Sequence, residues 1–169
     1  MSTATIFQLQ LVLGYVPWLL AFSAYVWPRR KAIDDIEALR AIALLHSFRF
    51  FGLVFIVGGV VGARLPQGFA VFSAYGDFAT GLLAMSALLT FQIRPLFLLF
   101  VAAFNVVGAA DILVDYYHGS VLGLPSLAGE LGAAFAIPII YVPLLMITHG
   151  VAFILLARRA ARPAVGAHA

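Results

Sequence analysis

The residues of this chain that could do chemistry are six ionisable side chains and one amide, all inside long apolar stretches. They are His46, Arg49, Asp77, Asn105, Asp111, Asp115 and His149. An ionisable side chain within a membrane span costs about 2.5–3.5 kcal/mol on insertion scales, so each one marks a candidate functional site. Histidine, arginine and aspartate together are suited to binding a ligand group, a haem iron or a transferable proton.

The predicted ligand-binding residues are Arg49, His46, Asn105 and His149. His46 and Arg49 are three residues apart, which places them on one face of a helix. A buried arginine keeps its charge and needs an anion or several carbonyl groups around it. We therefore expect Arg49 to bind a small anionic or amphipathic ligand, and we predict transport of that ligand or of a proton. In the alternative, Arg49 is a structural tie to Asp77 or Asn105.

Depth estimates divide these residues into two layers. At about 1.5 Å per residue, His46, Arg49 and His149 lie roughly 8–12 Å from the cytoplasmic edge of the membrane. Asp77 and Asp111 lie roughly 9 Å below the outer edge by the same estimate. The aspartates are then too far from the histidines to share a metal ion with them, so no metal is expected.

Two histidines at similar depth on different spans suit the axial ligands of a b-type haem. His46 and His149 would bind the iron, and Arg49 would pair with a haem propionate. This alternative predicts a bis-histidine electron-transfer protein with haem b as its cofactor. No other cofactor is predicted.

Asp77 and Asp111 are the candidate catalytic residues. Two carboxylates that lie close together in a low dielectric share a proton, as in aspartyl hydrolases. The stretch Ala74-Tyr75-Gly76-Asp77-Phe78 resembles the Gly-x-Gly-Asp motif of intramembrane aspartyl proteases, although Ala stands at position 74 and no Pro-Ala-Leu element follows. The resemblance implies hydrolysis with Asp111 as the second aspartate. We expect the protein not to be an enzyme.

The elements that position these residues are membrane-spanning helices. Of the 169 residues, 64% are hydrophobic, 10% are charged and none is cysteine, and the mean hydropathy is +1.07. A soluble domain is about 45–50% apolar and about 25% charged, so this composition excludes a soluble globular protein. Without cysteine, the chain has no disulfide, thiolate metal site or iron–sulfur cluster.

Five apolar stretches are each long enough to cross a bilayer as a helix. They are residues 5–27, 41–62, 71–91, 95–117 and 131–157. We predict an all-α integral membrane bundle of five transmembrane helices in one domain, residues 1–162, and a disordered cytoplasmic tail, residues 163–169. The first span has no basic residue before it and a long apolar run, so we expect it to stay in the mature protein.

The connections between the spans set the predicted orientation. Eight basic residues fall on one side and only Arg64 falls on the other. Lys and Arg are enriched in cytoplasmic loops, so we place the N-terminus outside and the C-terminus inside. Helical spans without a targeting segment favour a bacterial inner membrane as the location.

Two connections carry further expectations. The charged segment 28–40 is predicted to be a solvated loop that orients the chain. In the alternative, Asp34 or Asp35 caps a short interfacial helix with Ile33, Ile36 and Leu39 turned toward lipid. The segment 118–130 is rich in Gly, Ser and Leu. It is expected either to lie in the outer interface or to cover the end of the bundle.

The stretch 65–70, followed by Gly76-Asp77, Asn105 and Asp111, resembles small, uncharacterised bacterial membrane proteins over most of spans two to four. The resemblance implies a five-span membrane protein and no activity. The predicted partners are the lipid bilayer and a homo-oligomer or larger membrane complex. A last alternative is therefore a structural subunit of such a complex. The net charge of +3 lies beside apolar segments as an orientation signal, so nucleic acid is excluded as a partner.

Overall fold

The computed structural model describes residues 1–161, and these residues are helical almost throughout, with no β-strand. The five α-helices are α1 (Thr3–Ala21), α2 (Asp35–Ser47), α3 (Gln67–Leu89), α4 (Arg94–Val121) and α5 (Val142–Ala160). Shorter helical segments extend three of them: Phe22–Val26 (π) and Trp27–Arg29 (3₁₀) after α1, Phe48–Ile56 (3₁₀) after α2, and Ile137–Tyr141 (π) before α5. The predicted all-α class is confirmed, and the predicted tail 163–169 lies outside the described residues.

The five predicted spans correspond to five helices that are long and apolar enough to cross a membrane. They are Thr3–Arg29, Asp35–Ile56, Gln67–Leu89, Arg94–Val121 and Ile137–Ala160. Helices are required there because lipid offers no partner for a free backbone N–H. The chain therefore has the architecture of a multi-pass membrane protein.

The second span begins earlier than predicted because of a cap at Asp34. The Asp34 carboxylate accepts hydrogen bonds from the backbone N–H groups of Ile36 (2.8 Å) and Glu37 (3.2 Å), which starts α2 at Asp35. The predicted loop over 28–40 is therefore wrong from Asp35 onward, and so is the alternative of a separate interfacial helix, because α2 continues directly into the span. Ile36 and Leu39 are buried against the neighbouring helices rather than turned toward lipid.

The segment Leu124–Phe135, here called the roof segment, covers one end of the bundle. It is a 3₁₀ segment with a kink at Gly132 (φ +51°), and it packs against α1 and the loop after α2. The Gly62 N–H donates to the Glu130 carbonyl at 2.7 Å, and the Glu130 carboxylate binds the Arg64 side chain at 2.6 Å. Of the two alternatives for this connection, the structure supports the covering one.

Two apolar cores divide the bundle along its length. The roof-end core lies beneath the roof segment and includes Phe7, Phe55, Phe69, Leu124 and Leu131. The basic-end core lies near the arginines Arg40, Arg94, Arg158 and Arg159, and it includes Leu39, Ala84, Phe97, Val101, Phe104 and Ala152. The predicted polar residues lie between these two cores.

Candidate functional site

The centre of the candidate site is Arg49, whose side chain is fully buried. Its Nε donates to Asp77 Oδ1 on α3, and its Nη2 donates to Asp111 Oδ2 on α4, both at 2.6 Å. Its Nη1 donates to the Gly108 carbonyl at 3.1 Å. Each nitrogen of the guanidinium is therefore held by the protein, and the anions around Arg49 are two of the protein's own carboxylates.

His149 on α5 is the fourth contact of Arg49. Its Nε2 lies 3.4 Å from Arg49 Nη1, and its Nδ1 lies 2.8 Å from Asn105 Oδ1. Asn105 donates through Nδ2 to the Val101 carbonyl, so its Oδ1 is an acceptor and His149 Nδ1 carries the proton. His149 is thus a neutral imidazole whose unprotonated Nε2 faces Arg49.

His46 is fully buried next to His149, with 4.1 Å between the two ring centroids. Its Nε2 lies 3.0 Å from Thr148 Oγ1, whose hydroxyl donates to the carbonyls of α5. The Thr148 oxygen is therefore the acceptor for His46 Nε2–H. His46 Nδ1 is buried without a hydrogen-bond partner in the described part of the chain.

Glycines make the close approach of these groups possible. A Cβ atom at Gly52 would overlap the Asp77 carboxylate, one at Gly76 would overlap the Asp111 carboxylate, and one at Gly108 would overlap the Arg49 guanidinium. Gly76 lies well inside α3. The glycines are spaced to let charged side chains cross between α3, α4 and the segment after α2.

The structure brings all of the predicted site residues together, so the predicted separation into two layers is wrong. The boundaries of three spans explain the error. The second span begins six residues earlier than predicted, which places Arg49 about 9 Å deeper. The third span begins four residues earlier and the fourth ends four residues later, which places Asp77 and Asp111 each about 6 Å deeper. All three side chains therefore meet near mid-bundle.

A cavity of about 80 Å³ leads from the roof end of the bundle down to this cluster. Its walls are apolar side chains of α1, α4, the roof segment and the π segment before α5, among them Phe7, Leu11, Ile112, Leu124 and Pro138. Its polar floor includes Arg49, Asp77 and Asp115. Beyond the floor lies the tightly packed basic-end core, so the cavity reaches the cluster from one end only.

Sequence reasoning missed several residues around the cavity. Asp115, to which the sequence assigned no particular role, accepts a hydrogen bond of 2.7 Å from Ser73 Oγ on α3 and lines the cavity. Tyr116 lines the cavity and shares a 3.1 Å hydroxyl contact with Tyr15 of α1. The four-residue spacings of Ser73 with Asp77 and of Asp111 with Asp115 place both pairs on facing helix surfaces, and this signal could have grouped them.

The two histidines do not fit a haem. A porphyrin is a plane of atoms that must lie between its two axial imidazoles. The rings of His46 and His149 are already in contact at 4.1 Å, and both nitrogens of His149 face other polar groups. We derive no electron-transfer step through these residues.

The two aspartates do not fit a proteolytic dyad. Such a dyad requires two carboxylates that share a proton and activate a water molecule between them. Arg49 instead lies between Asp77 and Asp111 and binds one oxygen of each. We derive no hydrolytic step from this arrangement.

Comparison with known proteins gives one match. Residues 6–157 match the model of a family described as a domain of unknown function, DUF8737. No curated protein and no solved structure matches the chain. The match covers all five helices, the cavity and the Arg49 cluster.

Proposed function

The chain belongs to the DUF8737 family, a domain of unknown function, and from its own residues we propose that it binds a small amphipathic molecule in the cavity above Arg49. The observation that carries the proposal is a one-ended cavity with apolar walls and a charged floor. Ligand sites in proteins are mostly apolar concavities with a few placed polar groups, and this cavity has that composition.

The predicted ligand-binding residues have different parts in this proposal. Arg49 lies at the cavity floor, beside Asp77 and Asp115. His149 and Asn105 lie behind Arg49 and fix its position by hydrogen bonding, and His46 supports His149 through ring contact. The ligand therefore meets the acidic side chains and Arg49, while the two histidines and Asn105 act as positioning residues.

The direction of ligand entry follows from the arginine distribution. The basic end carries Arg40, Arg94, Arg158 and Arg159, so we propose that this end faces the cytoplasm of a bacterial inner membrane. The cavity then opens toward the outer side, beneath the roof segment. Transport of the ligand or of a proton would require the basic-end core to open, and this step remains a prediction.

The experiment uses trifluorobutanol as the probe and ¹⁹F NMR of the protein in lipid nanodiscs as the readout. Gly119 lines the cavity on α4, and a side chain added there projects between Leu124 and Phe69. We expect Gly119→Leu to abolish the bound signal. The matched control is Gly150→Leu, because Gly150 is an exposed helical glycine with open space around it.

A second blocking variant covers the case in which Gly119→Leu fails to fold. Ser120 is exposed and also lines the cavity, so Ser120→Leu should weaken probe binding with little effect on folding. Binding that is equal in wild type, both blocking variants and Gly150→Leu would overturn the proposal. A probe signal no larger than that of protein-free nanodiscs would also overturn it and would favour the structural-subunit alternative.

A further inference from the structure

The floor of the cavity has more hydrogen-bond acceptors than donors. Two carboxylates, those of Asp77 and Asp111, bind one guanidinium, and a third, that of Asp115, also lines the cavity. Asp77 and Asp115 line the cavity, so a ligand that brings hydrogen-bond donors finds acceptors there.

The charge at the cavity floor also favours a ligand that brings hydrogen-bond donors. With Asp77 and Asp111 both ionised against Arg49, the negative charges already outnumber its single positive charge. His149 adds no positive charge, because Asn105 fixes it as the neutral tautomer. An anion would approach carboxylates with little compensation, since each Arg49 nitrogen already donates to Asp77, Asp111 or Gly108.

The cavity walls distinguish an organic cation from a metal ion. Within residues 1–161, no group of three or more His, Cys, Asp or Glu side chains could hold a metal ion. The walls above the floor are apolar, with Phe7, Leu11 and Ile112 among them. Such walls favour a hydrocarbon substituent rather than a hydrated ion.

We propose, on the premise of the proposed binding function, that the ligand is an amphipathic amine whose ammonium group binds at Asp77 and Asp115 while its hydrocarbon part lies against the apolar walls. The ammonium group supplies the donors that the floor lacks. The sign of the ligand charge is thus opposite to the one that Arg49 alone suggested. Asp115 is the residue that decides this specificity, because it lines the cavity and, among residues 1–161, takes part in a hydrogen bond with Ser73 alone.

The experiment compares three probes that share one tail: trifluorobutylamine, trifluorobutanol and trifluorobutyrate. Dissociation constants are measured by ¹⁹F NMR at neutral pH on the full chain in nanodiscs of zwitterionic lipid, with protein-free nanodiscs as the blank. We expect the dissociation constant of the amine to be at least about tenfold lower than that of the alcohol, because hydrogen bonds between charged groups are stronger than those of a neutral hydroxyl. We expect the butyrate to bind least tightly.

The test of Asp115 uses Asp115→Asn, in which the side-chain oxygen can still accept from Ser73. This variant should lose the preference for the amine, so that the ratio of its affinities for the amine and the alcohol falls to about one. The matched control is Glu37→Gln, an exposed acidic residue at the other end of the bundle. In the wild-type protein, equal affinities for the amine and the alcohol, or a preference for the butyrate, would overturn the assignment of a cationic ligand. Either result would leave the proposed binding function in place. Binding of none of the three probes would overturn both.

Discussion

The basic-end half and the roof-end half of the bundle pack their helices in different ways. The basic-end core is apolar and is made from the regular helices α2 to α5, with Phe97, Val101 and Ala152 fully buried, and the irregular segments at this end are confined to the end of α1. The roof-end half contains 3₁₀ and π segments, and three glycines admit the buried charges. Irregular backbone is tolerated at membrane depth where it is buried in protein or lines a cavity. The roof-end half, whose core is built around irregular backbone, is therefore the half that carries the candidate function.

Removal of Arg49 should have the largest effect on the roof-end half. Arg49→Met leaves Asp77 and Asp111 buried without their shared partner. We expect a loss of about 3–5 kcal/mol in the free energy of unfolding, the range observed when one partner of a buried ion pair is removed. Unfolding in a denaturing detergent titration measures this loss.

The control for that change is the triple variant Arg49→Met, Asp77→Asn, Asp111→Asn, which removes both stranded charges as well. We expect it to recover most of the lost stability, because buried ion pairs are often replaced by neutral groups at little cost. A triple variant as unstable as Arg49→Met would show that the charges are not what distinguishes this half.

Addition of a methyl group at a tightly packed glycine should have the second-largest effect on the free energy of unfolding. Gly76→Ala places a Cβ against the Asp111 carboxylate, whereas Gly150→Ala meets open space. Overpacking of a tight contact costs about 1–3 kcal/mol, so Gly76→Ala should lower the free energy of unfolding by that amount. The same detergent titration gives both values, and equal stability of the two variants would contradict the close approach.

The sequence predicts the five spans better than it predicts where their polar side chains meet. Apolar run length reveals five spans because lipid demands helices of about 20 residues. The same rule misplaces the start of α2 by six residues, because the Asp34 cap and the charged first turn are read as loop. That error hides the Arg49 cluster, since the depth of each side chain is counted from a span boundary. The residue types alone identify the candidate site residues. Whether these residues contact one another depends on where each span begins and ends, and composition does not define those positions.

Loss of the Asn105 acceptor tests how far the polar network extends toward the basic-end core. Asn105→Leu removes the partner of His149 Nδ1, which is fixed in a buried position. Polar contacts between membrane helices contribute about 0.6 kcal/mol on average, and up to about 1.7 kcal/mol. We expect a loss near the upper value, measured by detergent titration, with little change in trifluorobutanol binding. Abolished binding together with unchanged stability would contradict the positioning role.

The Arg64–Glu130 pair at the roof segment should give the smallest effect, and one that depends on pH. Hydrogen bonds from the Arg64 side chain and backbone hold the pKa of the Glu130 carboxyl below its ordinary value. A lowered pKa in the folded state means that the pair stabilises the fold above the carboxyl's ordinary pKa, near 4.3, and that this contribution is lost as the pH falls further.

The matched variant is Glu130→Gln, in which the pH-dependent contribution should be absent while stability at neutral pH falls only slightly. Thermal unfolding of wild type and variant between pH 3 and pH 7 provides the comparison. A wild-type profile with the same slope as that of Glu130→Gln would contradict a role for this pair in holding the roof segment.

The most direct measurement of the difference between the halves is the reactivity of two cysteines introduced on α4. The chain has no cysteine of its own, so each variant carries a single thiol. Ile112 is buried at the cavity wall, and Val101 is buried in the basic-end core. The probe is a water-soluble cationic methanethiosulfonate, applied to the protein in nanodiscs.

We expect Ile112→Cys to react, to react faster with the cationic reagent than with its anionic counterpart, and to be protected by trifluorobutylamine. Val101→Cys should stay unmodified in the folded protein. Equal reaction at both positions, or no reaction at Ile112→Cys, would contradict a cavity that reaches the Arg49 cluster from the roof end alone.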